Sequence, residues 1–170
     1  FKDLVLNRTF NSLVSNPPTP SYTTTLPHRI TIRTGIHHRD IPALWYKASL
    51  QTSPVPNPIT ILYCHDAGED LGTCASFLEL LSSSFHCNVL SFEYPSYGLY
   101  VHEYTEELLA KDANYVYLYT TSLLNNPPQR LIIMGKGIGS AVALYIASTK
   151  KKHSMAAAVV LLVAVRSSDA

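Results

Sequence analysis

The residues best placed for chemistry lie in Met134-Gly135-Lys136-Gly137-Ile138-Gly139-Ser140, between the apolar run Leu131-Ile132-Ile133 and the helix-forming Ala141-Val142-Ala143-Leu144-Tyr145-Ile146-Ala147. A strand, a glycine-rich turn and a helix in that order can present a nucleophile, a dinucleotide or a phosphate. Gly135-Lys136-Gly137-Ile138-Gly139 has the frame Gly-x-Ser-x-Gly. In that frame small residues flank a strained position, so that a serine projects from a tight turn and the next backbone N–H is free to bind an oxyanion. Here the nucleophile position holds Gly137, which has no hydroxyl. Ser140 comes three residues later, in the first helical turn, where a hydroxyl bonds local backbone more readily than it attacks an ester.

Two other chemistries fit the same turn less well. Gly135-x-Gly137-x-x-Ser140 departs from the dinucleotide fingerprint only at its last position. Val159 to Val165 followed by Arg166 could then supply a second strand and a ligand for a 2′-phosphate, giving an NADP-binding unit that starts at Leu131. Only one strand follows the turn, however, and a dinucleotide needs more sheet beyond it. A phosphate loop fails at two positions, since Gly137 follows the lysine and Arg130 stands where the first glycine is required. The N–H groups at the helix start, with Lys136, could still hold an anion. Cys64-His65 and His86-Cys87 are adjacent pairs whose side chains point to opposite faces of a strand, so neither makes a metal site. No metal and no cofactor is expected.

The elements that must position the turn follow from hydrophobic rhythm. His28 to Thr34 and Ile41 to Ala48 alternate like a strand pair joined near Gly35-Ile36-His37-His38, and Ser53 to Pro58 reads as a stiff, extended connection. Strands are expected at Ile59 to Cys64, Asn88 to Tyr94, Leu131 to Met134 and Ala156 to Val165. Helices are expected at Leu71 to Phe85, Glu106 to Leu124 and Ile138 to Thr149. This alternation predicts an α/β fold, with a mainly parallel sheet covered by helices on both faces and the second strand antiparallel. Ligands gather at the carboxyl ends of such strands, so three turns matter: those after Cys64, Tyr94 and Met134. The first reads His65-Asp66-Ala67-Gly68-Glu69-Asp70-Leu71-Gly72 and the second Tyr94-Pro95-Ser96-Tyr97-Gly98.

From about Asn16 to Val165 the chain resembles the serine hydrolases of the α/β-hydrolase superfamily, most closely the membrane-associated depalmitoylating group known as α/β-hydrolase domain-containing protein 17. The resemblance rests on Pro17-Pro18-Thr19-Pro20-Ser21-Tyr22, the loop from His65 with Glu69-Asp70-Leu71-Gly72, the run Asn88 to Tyr94 with Tyr97-Gly98, and the Gly135–Gly139 frame. It implies a three-layer sandwich with about six of the eight usual strands present. It also implies a thioesterase ancestry in which a Ser, an acidic residue and a His follow one another along the chain. The backbone N–H groups of Ala67 and Ile138 would form the oxyanion hole, and Gly137 would stand in the place of the attacking serine. Asp66 sits where the family usually has glycine, and His65 shapes the loop and does not act as the base. The acid and the His would come after the last strand read here. Loss of the nucleophile alone costs about 10⁶ in turnover in a well-studied serine protease. The expectation is therefore a hydrolase relative that is catalytically inactive, or a pseudoenzyme that binds an acyl chain or a partner protein.

Bulk properties bound the rest. At 170 residues, 46% hydrophobic and 15% charged, the chain suits one domain with a real core. A formal net charge of +1 gives no field to gather nucleic acid, and Lys150-Lys151-Lys152 reads as a solvated helix end. Three cysteines, an odd number, point to a reducing compartment and a cytoplasmic location. Residues 1–20 divide off as an arm, with Phe1, Leu4, Val5, Phe10, Leu13 and Val14 at helical spacing before a proline-rich segment; by the resemblance, 21–170 would be the N-terminal part of an α/β-hydrolase domain. With no cysteine before Cys64 to carry an acyl group, any peripheral membrane attachment would be weak. A start at Phe1 and an end just past an apolar segment read as a piece of something longer. The last strand would then be an apolar edge that invites self-association. The partners expected are an acylated protein or a lipid ester.

Overall fold

The computed structural model describes residues 17–23, 26–35, 39–49, 58–150 and 155–162. The expected amphipathic arm, most of the proline-rich connection at 53–57 and the end of the last expected strand lie outside them. In chain order the elements are β1 (Arg29–Arg33), β2 (Asp40–Tyr46), β3 (Thr60–Cys64), α1 (Leu71–Phe85), β4 (Asn88–Phe92), α2 (Glu106–Leu118), β5 (Leu131–Lys136), α3 (Gly139–Ser148) and β6 (Ala158–Leu162). Among the described residues the six strands form one sheet in the order β1-β2-β4-β3-β5-β6. β2 is antiparallel to both of its neighbours, and the pairs from β4 to β6 are parallel.

The unbroken apolar run of β3 marks a strand covered on both faces, and all five of its residues are buried. Ile61 and Tyr63 point to one side, where Leu71, Cys74, Leu78 and Leu81 of α1 cover them. Leu62 and Cys64 point to the other, beneath Ala113, Val116 and Tyr117 of α2 and Val142, Ala143 and Ile146 of α3. The three layers expected from the sequence are thus in place. α1 starts at a capping box: the Asp70 side chain accepts from the Thr73 N–H at 2.9 Å, and the Thr73 hydroxyl accepts from the Asp70 N–H at 2.8 Å. The same carboxylate accepts from the Ser21 N–H at 2.6 Å, tying the segment before β1 to the start of α1.

Three details depart from the sequence reading. The helix expected over 106–124 ends at Leu118 and continues as a π-helical turn over Tyr119–Leu123. The Thr120 and Thr121 hydroxyls donate back to the carbonyls of Val116 and Tyr117 at 2.8 and 3.0 Å, competing with the helical ladder where it loosens. β5 runs two residues further than Met134, because Gly135 and Lys136 pair with Leu161 and Leu162 of β6. Lys150 is not a solvated end: its ammonium donates to the Asn114 side-chain oxygen at 2.6 Å and sits 4.4 Å from the Tyr117 ring centre.

β6 closes the sheet on one side, pairing with β5 alone among the described residues. Val159, Leu161 and Leu162 there are each more than a third exposed. No helix among the described residues is long and apolar enough to cross a membrane.

Candidate functional site around the turn after β5

β5 carries the chain to Lys136 at the carboxyl edge of the sheet, and α3 starts at Gly139, so only Gly137 and Ile138 make the turn. So sharp a reversal puts Gly137 in the left-handed region at φ +52°, where a side chain is strained. Its N–H donates to the Leu162 carbonyl at 2.8 Å and its carbonyl accepts from the Ser140 N–H at 3.1 Å, which pins the apex between β6 and the first turn of α3. The flanking glycines are needed for space. A Cβ on Gly139 would lie 2.5 Å from the His65 carbonyl oxygen, and one on Gly135 would lie 2.5 Å from the Ser140 Cα. Strand, turn and helix therefore pack as tightly as the glycine frame read from the sequence requires, with Gly137 at the apex.

The space in front of Gly137 is filled by Asp66. Its Oδ1 accepts from the N–H of Ala67 at 2.7 Å and from the N–H of Ile138 at 3.0 Å. These are the two donors that the sequence reading assigns to the oxyanion hole, one from the loop after β3 and one from the turn after β5. They do converge on one point, and a carboxylate oxygen occupies it. A Cβ built on Gly137 would fall inside that carboxylate, 2.6 Å from Oδ2 and nearer to its other atoms. Asp66 thus extends from the neighbouring loop into the volume that a side chain at 137 would use.

The loop holding Asp66 is braced from several directions. The Asp66 N–H donates to Glu69 Oε2 at 3.1 Å, the Glu69 N–H donates to the Asp66 carbonyl at 3.1 Å, and Lys136 pairs with Glu69. Lys136 is therefore turned to Glu69, and the Ile138 N–H is already bonded to Asp66. Two donors of the anion site considered at the start of α3, Lys136 and the Ile138 N–H, are thus engaged by carboxylates, which also repel a pyrophosphate. Arg166, the other residue of the dinucleotide reading, lies outside the described residues.

The remaining candidates are engaged in internal contacts or buried. Ser140 is buried and its hydroxyl donates to the Gly135 carbonyl at 3.1 Å, as its place in the first helical turn implies. His65 is fully buried, stacked on Tyr94 with ring centres 3.9 Å apart, with Nδ1 donating to the Asp66 carbonyl at 2.9 Å and Nε2 3.5 Å from Glu93 Oε1. Cys64, Cys74 and Cys87 are buried free thiols. Burial pushes all three thiols up, which disfavours their thiolate forms.

Sequence reasoning missed the buried cluster behind this loop. Glu93 is wholly buried, and its Oε2 accepts from the Tyr22 hydroxyl at 2.7 Å and from the Leu71 N–H at 3.2 Å. Burial first, with the nearby Glu93 carboxylate second, raises the Tyr22 phenol far above its usual range. Burial pushes Tyr97 up to about 12, helped by the Asp66 and Glu93 carboxylates. The available signal was a carboxylate set between aromatics at a strand end, Phe92-Glu93-Tyr94, where a surface charge has no place. Glu93 organises the loop: it joins the segment at Tyr22, the start of α1 and His65, and through His65 fixes the carbonyl of Asp66.

No protein-family model matches the sequence. Over 155 residues, 81% of this chain, it is 27% identical to "Alpha/beta hydrolase domain-containing protein aho-3" of Caenorhabditis elegans, covering 47% of that protein. Over 89 residues, 52% of this chain, it is 32% identical to human "Alpha/beta hydrolase domain-containing protein 17B", covering 31% of it. Among solved structures, a hyperthermophilic esterase from Pyrobaculum calidifontis superposes with a TM-score of 0.58 at 14% identity, over 88% of this chain and 46% of the esterase. The sheet order, the three layers and the elbow define the class: this is an α/β-hydrolase fold. Its curated relatives are α/β hydrolase domain-containing proteins, the 17 group among them, and the chain spans about half of their length or less.

Proposed function

We propose that this chain is a relative of acyl-protein thioesterases and carboxylesterases that is catalytically silent at its elbow. One observation carries the reading: Gly137 stands at the apex of the turn with the Asp66 carboxylate in the space before it, bonded to both N–H groups that an oxyanion would need. Acyl transfer requires a nucleophile and a vacant pair of donors, and neither is on offer. Removing a nucleophile costs about 10⁶ in turnover, and removing one oxyanion donor costs about 10² to 10³. A carboxylate in the hole is worse than an empty one, because it opposes the negative charge that develops in the transition state. Such a site can bind without turnover, and the ligand class that follows from the kinship is an acylated protein or a lipid ester.

The test is covalent labelling of the chain with a fluorophosphonate probe, read by peptide mass spectrometry, beside hydrolysis of a p-nitrophenyl acyl ester and an acyl thioester. No label is expected on residues 135–140, and no ester turnover above the uncatalysed rate. Stoichiometric labelling of Ser140, or turnover abolished by Ser140→Ala, overturns the proposal.

A further inference from the structure

Behind the Asp66 loop two buried polar atoms face each other with nothing else to bond. His65 Nε2 and Glu93 Oε1 belong to wholly buried side chains, lie 3.5 Å apart, and have no hydrogen-bond partner among the described residues. The other polar atom of each side chain is committed. His65 Nδ1 lies 2.9 Å from the Asp66 carbonyl, an oxygen that can only accept. Glu93 Oε2 accepts from the Tyr22 hydroxyl at 2.7 Å and from the Leu71 N–H at 3.2 Å. Both ring nitrogens of His65 therefore face acceptors. An imidazole with one proton must fail at one of them: a proton on Nδ1 sets the Nε2 lone pair against the carboxylate, and a proton on Nε2 sets the Nδ1 lone pair against the carbonyl. In a site closed to bulk water neither mismatch is relieved by solvent. We propose that His65 is held as an imidazolium whose Nε2–H donates to Glu93 Oε1, and that this one proton locks Asp66 in front of Gly137.

The surroundings favour the proton on His65 over its transfer to Glu93. Two donors already on Oε2 favour the ionised carboxylate. The imidazole stacks on Tyr94 with ring centres 3.9 Å apart, and the Tyr97 ring centre is 5.5 Å away, so aromatic rings flank the cation. The other titratable side chains packed around the pair are Tyr22 from the segment before β1, Cys64 of β3, Cys74 of α1, and Tyr94 and Tyr97 after β4. Burial pushes all five up, so they stay neutral and Glu93 is the anion that Nε2 faces. The Tyr94 hydroxyl donates to the His65 carbonyl at 2.9 Å, which fixes the backbone on one side of the ring. On the other side Nδ1–H grips the Asp66 carbonyl, next to the N–H of Ala67 that Asp66 Oδ1 holds. Without the extra proton one grip is lost, and Asp66 is freed to leave the N–H groups of Ala67 and Ile138. This holds whether or not the elbow turns over an ester.

The measurement is a long-range proton–nitrogen correlation of the imidazole rings in the isotope-labelled full chain, with His65 identified by the cross-peaks missing in His65→Asn. Both ring nitrogens of His65 are expected at the protonated position. In Glu93→Gln the side-chain amide can donate to Nε2, so Nε2 is expected to move to the unprotonated position. An unprotonated Nε2 in the unmodified chain overturns the proposal, as does an Nε2 that stays protonated in Glu93→Gln. The lock is read by amide hydrogen exchange in the same two proteins. Exchange at Ala67 and Ile138 should quicken by at least about tenfold in Glu93→Gln relative to Leu62 and Ile133, inside β3 and β5. An equal change at all four amides is a general loss of stability and overturns the lock, and so does no change at Ala67 and Ile138. Should Glu93→Gln fail to melt cooperatively, the nitrogen positions in the unmodified chain decide.

Discussion

Asp66 and Gly137 should behave as one unit, and a double-mutant cycle measures how strongly. Asp66→Gly removes two N–H···carboxylate bonds. Asp66 and Ile138 are only half-buried, so water can reach the freed donors, and the net cost is about 1–2 kcal/mol. Gly137→Ala incurs a left-handed alanine, about 1–2 kcal/mol. It must also drive the carboxylate out of the space its Cβ enters, losing the same two bonds for a further 1–2 kcal/mol or so. The single costs sum to about 3–6 kcal/mol. In the double variant the bonds are lost once, so the cost is about 2–4 kcal/mol, and the mutations rescue each other by about 1–2 kcal/mol. Urea unfolding of the four proteins at neutral pH gives the cycle directly. The amide proton resonances of Ala67 and Ile138 should both move upfield in Asp66→Gly. Additivity within about 0.5 kcal/mol refutes the idea that Asp66 fills the volume of a side chain at 137.

Other consequences are simpler to state. Burial alone would raise the Asp70 carboxyl, but hydrogen bonds from Ser21 and Thr73 outweigh it and hold it below the usual value of 3.8. A carboxylate with a lowered folded pKa stabilises above its unfolded value and loses that contribution as pH falls through the folded one. Asp70→Ala should therefore cost about 1–2 kcal/mol at pH 6, as a lost helix cap does, with the gap closing toward pH 2 in thermal melts. Asp112 is raised by burial despite the Tyr100 hydroxyl at 2.8 Å and Arg39 at 3.3 Å. Arg39→Met leaves it an uncompensated buried charge, with an expected loss of about 3 kcal/mol at pH 7. That loss should shrink as pH falls and Asp112 takes up a proton, and a pH-independent loss would refute the assignment. The row of Val159, Leu161 and Leu162 on β6 should make the isolated chain associate with itself in sedimentation experiments, and Val159→Lys should shift it toward monomer. A chain that stays monomeric at all concentrations counts against pairing through that edge.

The parts of the fold that could be read from the sequence are those fixed by local periodicity. The buried run Thr60–Cys64 and the amphipathic stretch Leu71–Phe85 each announce their element, because burial on two faces or on one stripe leaves a mark on every residue. The end of α2 did not, since Thr120 and Thr121 loosen the helix through hydroxyl bonds that hydrophobic spacing does not encode. The turn at Gly137 was legible because a glycine frame states a steric demand. The convergence of Ala67 and Ile138 followed from the resemblance, but the consequence of Asp66 did not. It depends on two loops meeting at one carboxylate, Asp66 and Ile138 being 72 residues apart in the chain, a tertiary fact with no local signature.

That meeting also bears on how the site holds together. A glycine at 137 leaves a gap in front of a strained turn, and the N–H groups of Ala67 and Ile138 there need an acceptor. A single aspartate at 66 answers both needs, filling the volume and satisfying the donors. Either residue alone is at odds with its surroundings: Asp66 before a serine at 137 would clash with it, and Gly137 beside a glycine at 66 would leave donors to water. Together they are mutually consistent, which is the condition for a stable local structure. Gly137→Ser alone would place its hydroxyl against the Asp66 carboxylate, so only the Asp66→Gly/Gly137→Ser double variant frees both the volume before residue 137 and the two N–H groups.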